Sequence, residues 1–231
     1  MSFAKPKAEK PFTKTIKWKG SEGGRFEFYD GDTNQPIEID TFIVLEELYS
    51  ISGYNSDKKM GVWSNEVSHL KRERLEVKMG NDVITAGIYK DIKAKVKEIG
   101  GKFTFAIYAL IGDEIVRILL AGSGCSGWLE KGFNPISKQC GVKFSGREHG
   151  KNGSVEFHSP AFVPHELSRE EHDQAVEACG VLETWLNSLG KEDPEINQDT
   201  DQHDLADVTE EELEDENVNR MMQEASDDIP F

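Results

Sequence analysis

IYKDIKAKVKEIGG, residues 88–101, decides the fold class, because the hydrophobic period changes there. Ile88, Ile92, Val96 and Ile99 are spaced by four, four and three, with Lys90, Lys93, Lys95 and Lys97 between them. Asp91 stands near the start, and Gly100-Gly101 supplies a stop. That spacing predicts a short amphipathic helix with its lysines on a solvated face.

On both sides the period is two. Upstream, strands are expected at residues 15–19, 25–29, 37–51, 62–64, 75–79 and 83–88. In the first, Ile16 and Trp18 alternate with Lys17 and Lys19; in the second, Phe26 and Phe28 alternate with Glu27 and Tyr29. Gly80-Asn81-Asp82 reads as a tight hairpin turn. The end of the long third strand, LEELYS, is open to a helical reading. Downstream, Phe103–Ile111 and Ile115–Ala121 form a pair across Gly112-Asp113-Glu114. Residues 122–153 are rich in glycine, and Phe144, Val155 and Phe157 hint at a further hairpin. A helix over 168–189 opens on the capping box Ser168-x-x-Glu171, and Ala175, Cys179, Leu182, Leu186 and Leu189 line one stripe.

Strands, a short helix and then a further strand pair is the order of a five-stranded OB barrel, with the helix between the third and fourth strands. Other small barrels share that order. The expectation is a mainly β, OB-fold-like barrel with added hairpins and a C-terminal helix. Residues 1–13 would be a flexible basic arm, 14–190 the barrel domain, and 191–231 a disordered acidic tail.

The charge splits the chain in the same place. Residues 192–231 hold sixteen Asp and Glu against one Arg, and no aromatic residue before Phe231. Such a segment buries too little apolar surface to offset the entropy of ordering it. Residues 1–165 instead carry 24 positive and 21 negative side chains, with six Lys and one Glu in the first twenty residues. The overall net charge of −16 therefore describes the tail, and does not argue against a polyanionic partner for the rest. Cys125, Cys140 and Cys179 are odd in number and lack CxxC spacing, which reads as reduced thiols in a cytoplasmic protein. No secretory signal and no apolar run of membrane-spanning length is visible, so no membrane partner is expected.

The tail closes on Asp227-Asp228-Ile229-Pro230-Phe231, two carboxylates beside two apolar anchors. This closing motif resembles the tip of bacterial and phage single-stranded DNA-binding proteins, whose acidic tails end in the same pattern. The resemblance covers the last six residues; the remainder looks more like the phage-encoded group with a larger, decorated OB domain. It implies that Asp227, Asp228, Ile229, Pro230 and Phe231 recruit replication, recombination or repair proteins. It also implies that the barrel binds single-stranded DNA in the host cytoplasm.

The residues offer their own candidates for that contact. Strand aromatics among Lys and Arg suit a groove that stacks bases and tracks phosphates. Trp18 with Lys14, Lys17 and Lys19 is the densest group; Phe28-Tyr29, Tyr54 with Lys58 and Lys59, and Trp63 with Lys71, Arg72 and Arg74 are the others. Trp185 and Phe105 read as core.

No cofactor or metal is expected. Gly122-Ser-Gly-Cys-Ser-Gly127 matches GxGxxG, but a helix of useful length is not expected before Asn134-Pro135, so it reads as a loop rim. Asp30-x-Asp32-x-Asn34 lacks the Gly and Glu of a calcium loop. A DNA-processing nuclease carrying the same tip, or an adaptor that binds only protein, are the alternative readings.

Overall fold

The computed structural model describes residues 9–21, 23–29 and 34–189. Most of the basic arm, the tail from 191 and its tip Asp227–Phe231 lie outside the described residues, as does the weaker second helix that the capping-box pattern Thr209-x-x-Glu212 leads one to expect. Eleven strands and three helices are described: β1 Thr15–Lys19, β2 Arg25–Tyr29, β3 Asn34–Ile37, β4 Thr41–Asn55, β5 Met60–Ser64, β6 Leu75–Met79, β7 Asp82–Gly87, α1 Tyr89–Glu98, β8 Gly101–Ile111, β9 Glu114–Ala121, α2 Ser123–Glu130, β10 Gly141–Asn152, β11 Val155–His165 and α3 Arg169–Ser188. The chain is mainly β, as its alternation predicts.

The strands form one open, mixed sheet in the order β3-β2-β1-β9-β8-β4-β5-β6-β7, with the β10–β11 hairpin attached to the start of β4. Among the described strands all pairs are antiparallel except β1 with β9. Among the described residues no strand ladder closes the sheet into the expected five-stranded barrel. The nearest approach to closure is at the β1–β2 turn, where the His158 N–H of β11 donates to the Gly20 carbonyl at 2.8 Å.

Three apolar cores explain the shape. β8 serves two of them, because successive side chains leave a strand on opposite faces. Phe105, Ile107 and Ala109 point to one core with Trp18, Phe26, Phe42, Trp128 and Phe162, inside the curl of the sheet. Ala106, Tyr108 and Leu110 point the other way, under Phe12 and α3. The third core holds Ile51, Val62, Leu75 and Val77 against Ile92 and Val96 of α1. Phe105 and Trp185 are core residues, as read, and LEELYS is strand throughout. A bulge in β4 between Val44 and Glu46 lets this 15-residue strand bend between its neighbours.

Two further expectations are corrected. Residues 123–130 are a helix, not a loop rim. Its glycines are there for packing: Gly124 sits against Trp18, and a Cβ on Gly127 would drive into the Pro160 carbonyl. Glycine's poor helix propensity hid the element. The other correction is Trp18, taken up below.

Candidate nucleic-acid interface

The face of the sheet opposite the curled core carries the candidate site. At one end it is roofed by α3 and Phe12. Toward the other end it is open, and a row of residues crosses five strands there in register. Lys102 of β8 lies opposite Ser52 of β4, Ser52 opposite Trp63 of β5, Trp63 opposite Lys78 of β6, and Lys78 opposite Val83 of β7. At the usual strand spacing the row is about 19 Å long.

Trp63 is 47% exposed, and its indole N–H donates to the Gly80 carbonyl at 3.3 Å, which fixes the ring. The Lys78 ammonium stands 5.3 Å from the ring centroid and 2.8 Å from Glu76. Tyr54 is 58% exposed and lies opposite Gly61, where even a Cβ would meet nothing within 4 Å. Tyr54 and Trp63 are therefore diagonal neighbours on adjacent strands, roughly 7–8 Å apart, with a bare floor beside Tyr54.

Basic residues lie on both connections that flank β5. Lys58 and Lys59 are exposed in the β4–β5 turn, which is held by the Lys58 N–H bonded to Asn55 Oδ1 at 2.8 Å. Lys71, Arg72 and Arg74 are exposed on the loop from 65 to 74. That loop is tied down at several points. Val67 pairs with Tyr49 at 2.8 and 2.9 Å, and Asn65 donates to the Arg74 carbonyl at 3.0 Å. Glu66 reaches over the sheet to accept from Tyr108 at 2.6 Å and to pair with Arg117. Burial, then the Glu66 carboxylate, pushes the Tyr108 hydroxyl pKa up, so it remains a donor.

β1 contributes the far end of the same face. Lys17 lies opposite Leu119, and Thr15 opposite Arg117. Loss of surrounding water first, and Arg117 second, hold the Lys17 pKa below the usual lysine range. Lys14 is paired with Glu114, and Lys19 approaches Glu27 at 3.8 Å.

The structure thus brings Tyr54, Trp63, Lys58 and Lys59 together at the β4–β5 end, sets Lys71, Arg72 and Arg74 on the loop that follows β5, and leaves Lys14, Lys17 and Lys19 four strands away from β5. Trp18 does not belong with them. It is 7% exposed, packs against Phe26 and Phe144, and donates its indole N–H to the His158 carbonyl at 2.9 Å. Its ring is spent on the core and offers no face to a base. Phe28 is half-buried opposite Ile16. Tyr29 ends β2 with its backbone opposite Thr15; its side chain lies outside what is described. Lys78, Lys102 and Arg117 were missed by sequence reading. Each had a signal: Lys78 alternates with Val77 and Met79, Lys102 follows the helix stop, and Arg117 is the lone charge between Ile115 and Ala121.

No family model, curated protein or solved structure matches the chain. Among the described residues no helix is long and apolar enough to cross a membrane, and no group of three or more His, Cys, Asp or Glu is placed to hold a metal ion.

Proposed function

We propose that the chain is a non-enzymatic single-stranded DNA-binding protein. More narrowly, we read it as a phage-encoded one, acting in replication, recombination or repair in the host cytoplasm and recruiting partners through Asp227–Phe231. The observation that carries the reading is the pair Trp63 and Tyr54, two exposed rings on adjacent strands bordered by Lys58, Lys59, Lys78 and Lys102. Exposed aromatics on a strand face with cations around them offer π-faces to any base and charge to the phosphates, which is binding without sequence preference.

The strand order favours an OB-like core. β4, β8 and β9 precede a helix, α2, and β10 and β11 follow it; β4 pairs with both β8 and β10. That order supports an OB reading, with α2 in the helix position that the sequence reading gave to α1. β1, parallel to β9, and its turn against β11 stand where the third and fifth strands would meet. In such folds the second and third strands and the first inter-strand connection bind oligonucleotides. Here these are β8, β9 and the segment holding β5, β6, β7 and α1.

Titration with oligo-dT at low salt tests the reading. Saturable quenching of tryptophan fluorescence is expected, and it should largely vanish in Trp63→Phe. A chain whose emission and mobility are unchanged by oligo-dT would overturn it.

A further inference from the structure

The β4–β5 turn holds a lysine where its backbone favours glycine. Asn55 at the end of β4 pairs with Met60, so residues 56–59 make the connection immediately beyond the Tyr54–Gly61 pair. Lys59 closes it with φ of 53°. Gly reaches that left-handed region freely and Asn readily, while other L residues are held out of it by their Cβ. Among the described residues only Gln139, with φ of 49°, is another non-glycine residue at positive φ. Lys58 and Lys59 are exposed, and among the described residues neither makes an ion pair that would explain its place. Strain of this kind persists only where the surroundings impose it, and it gathers at ligand-gripping positions.

Asn55 imposes it here. Its Oδ1 accepts from the Lys58 N–H at 2.8 Å, and its Nδ2 donates to the Ile99 carbonyl at 3.0 Å. One side chain therefore closes the turn and ties it to the end of α1, where the last carbonyls lack partners within the helix. The backbone behind it leaves no slack. A Cβ on Gly53 would collide with the Gly100 carbonyl, and one on Gly100, whose φ is 81°, with the Tyr54 carbonyl. The main chain of Tyr54 is thus fixed from behind, while its ring stays 58% exposed.

We infer that Asn55 is a positioning residue for the DNA contact: it holds the strained β4–β5 turn so that Lys59 grips a phosphate next to the base stacked on Tyr54. This rests on the function proposed above. Because the turn is shaped during folding, little ordering of it is left to be done on binding.

The experiment is oligo-dT titration of the full chain over a salt series, with thermal melts of the same variants. Lys59→Asn removes the charge and relieves the backbone. It should raise the melting temperature yet weaken binding, and flatten the slope of log K against log salt by about 0.7, the loss of one single-strand phosphate contact. Lys59→Arg should keep the wild-type slope. Gln139→Asn relieves the same strain away from the interface, so it should raise the melting temperature and leave binding unchanged. Asn55→Ala leaves every charge in place, so weaker binding in it reports the shape of the turn. Added to Lys59→Asn it should weaken binding less than it does alone, because the group it positions is gone. Wild-type affinity and slope in Lys59→Asn would overturn the role of the lysine. Equal effects of Asn55→Ala with and without Lys59 would overturn that of Asn55, and either result would leave the Tyr54 and Trp63 platform standing. No binding by wild type would overturn the inference together with the functional reading.

Discussion

Lys17 and Trp18 are neighbours in sequence, yet they serve opposite faces of one strand. Alternation showed that Ile16 and Trp18 share a side, but a period of two carries no label for inside and outside. Trp18 was placed with the DNA contacts because lysines flank it; those lysines only mark the other face. Tyr54 and Trp63, named as contacts on the same grounds, are exposed, and the glycines beside them (Gly53, Gly61) offer no side chain to cover them. The two classes of tryptophan predict different losses. Trp63→Ala should weaken oligo-dT binding by about 1–3 kcal/mol, the loss of one stacked base, with little change in melting temperature. Trp18→Ala should cost about 3–5 kcal/mol of stability, visible in chemical denaturation.

Glu46 supplies a pH test at the same scale. Burial lifts its pKa above the ordinary 4.5; the Glu47 N–H bond opposes this, and Glu47 and Glu183 add repulsion. A carboxyl that holds its proton more tightly folded than unfolded lowers stability as pH rises, beginning near 4.5 and continuing through its folded pKa. Glu46→Gln can still accept from the Glu47 N–H. Its stability advantage over wild type should therefore be absent below pH 4, open above 4.5 and then level off. A constant gap across pH would refute the assignment.

At the scale of elements, legibility followed local chemistry. α3 was plain because Ser168 and Glu171 form both halves of a capping box, and Ser168→Ala should cost about 1 kcal/mol in a thermal or denaturant melt. α1 was plain from its spacing. α2 was not, because its glycines are selected by what lies across from them, Trp18 and Pro160, and neither is near in sequence. The helix expected between barrel strands was assigned to α1 because nothing local to residues 123–130 announced a second candidate. Pairing partners were equally invisible, since the parallel contact of β1 with β9 joins segments about a hundred residues apart. Gly53→Ala tests one such junction. Its Cβ would meet backbone that cannot turn aside, so the variant should melt well below wild type and loosen α1, read as faster amide exchange at Ile92 and Val96.

For the whole molecule, charge distribution makes the remaining prediction. Residues 192–231 hold fifteen of the sixteen net negative charges, which leaves residues 1–191 at −1, with Lys58, Lys59, Lys78 and Lys102 around the Tyr54–Trp63 pair. On the proposed function, a segment of that charge joined to the same chain would compete with DNA phosphates for those cations. Deleting residues 192–231 should therefore tighten oligo-dT binding at low ionic strength. The gain should shrink as salt rises through about 0.15 M, where charges more than about 8 Å apart are screened. Deleting only residues 227–231 should leave DNA affinity nearly unchanged, because it removes two of sixteen acidic side chains, while abolishing capture of partner proteins. The two deletions separate the segment's electrostatic effect from its recruiting one. Equal affinity of wild type and the long deletion at every salt concentration would rule out competition, and loss of recruitment in the short deletion would still stand alone.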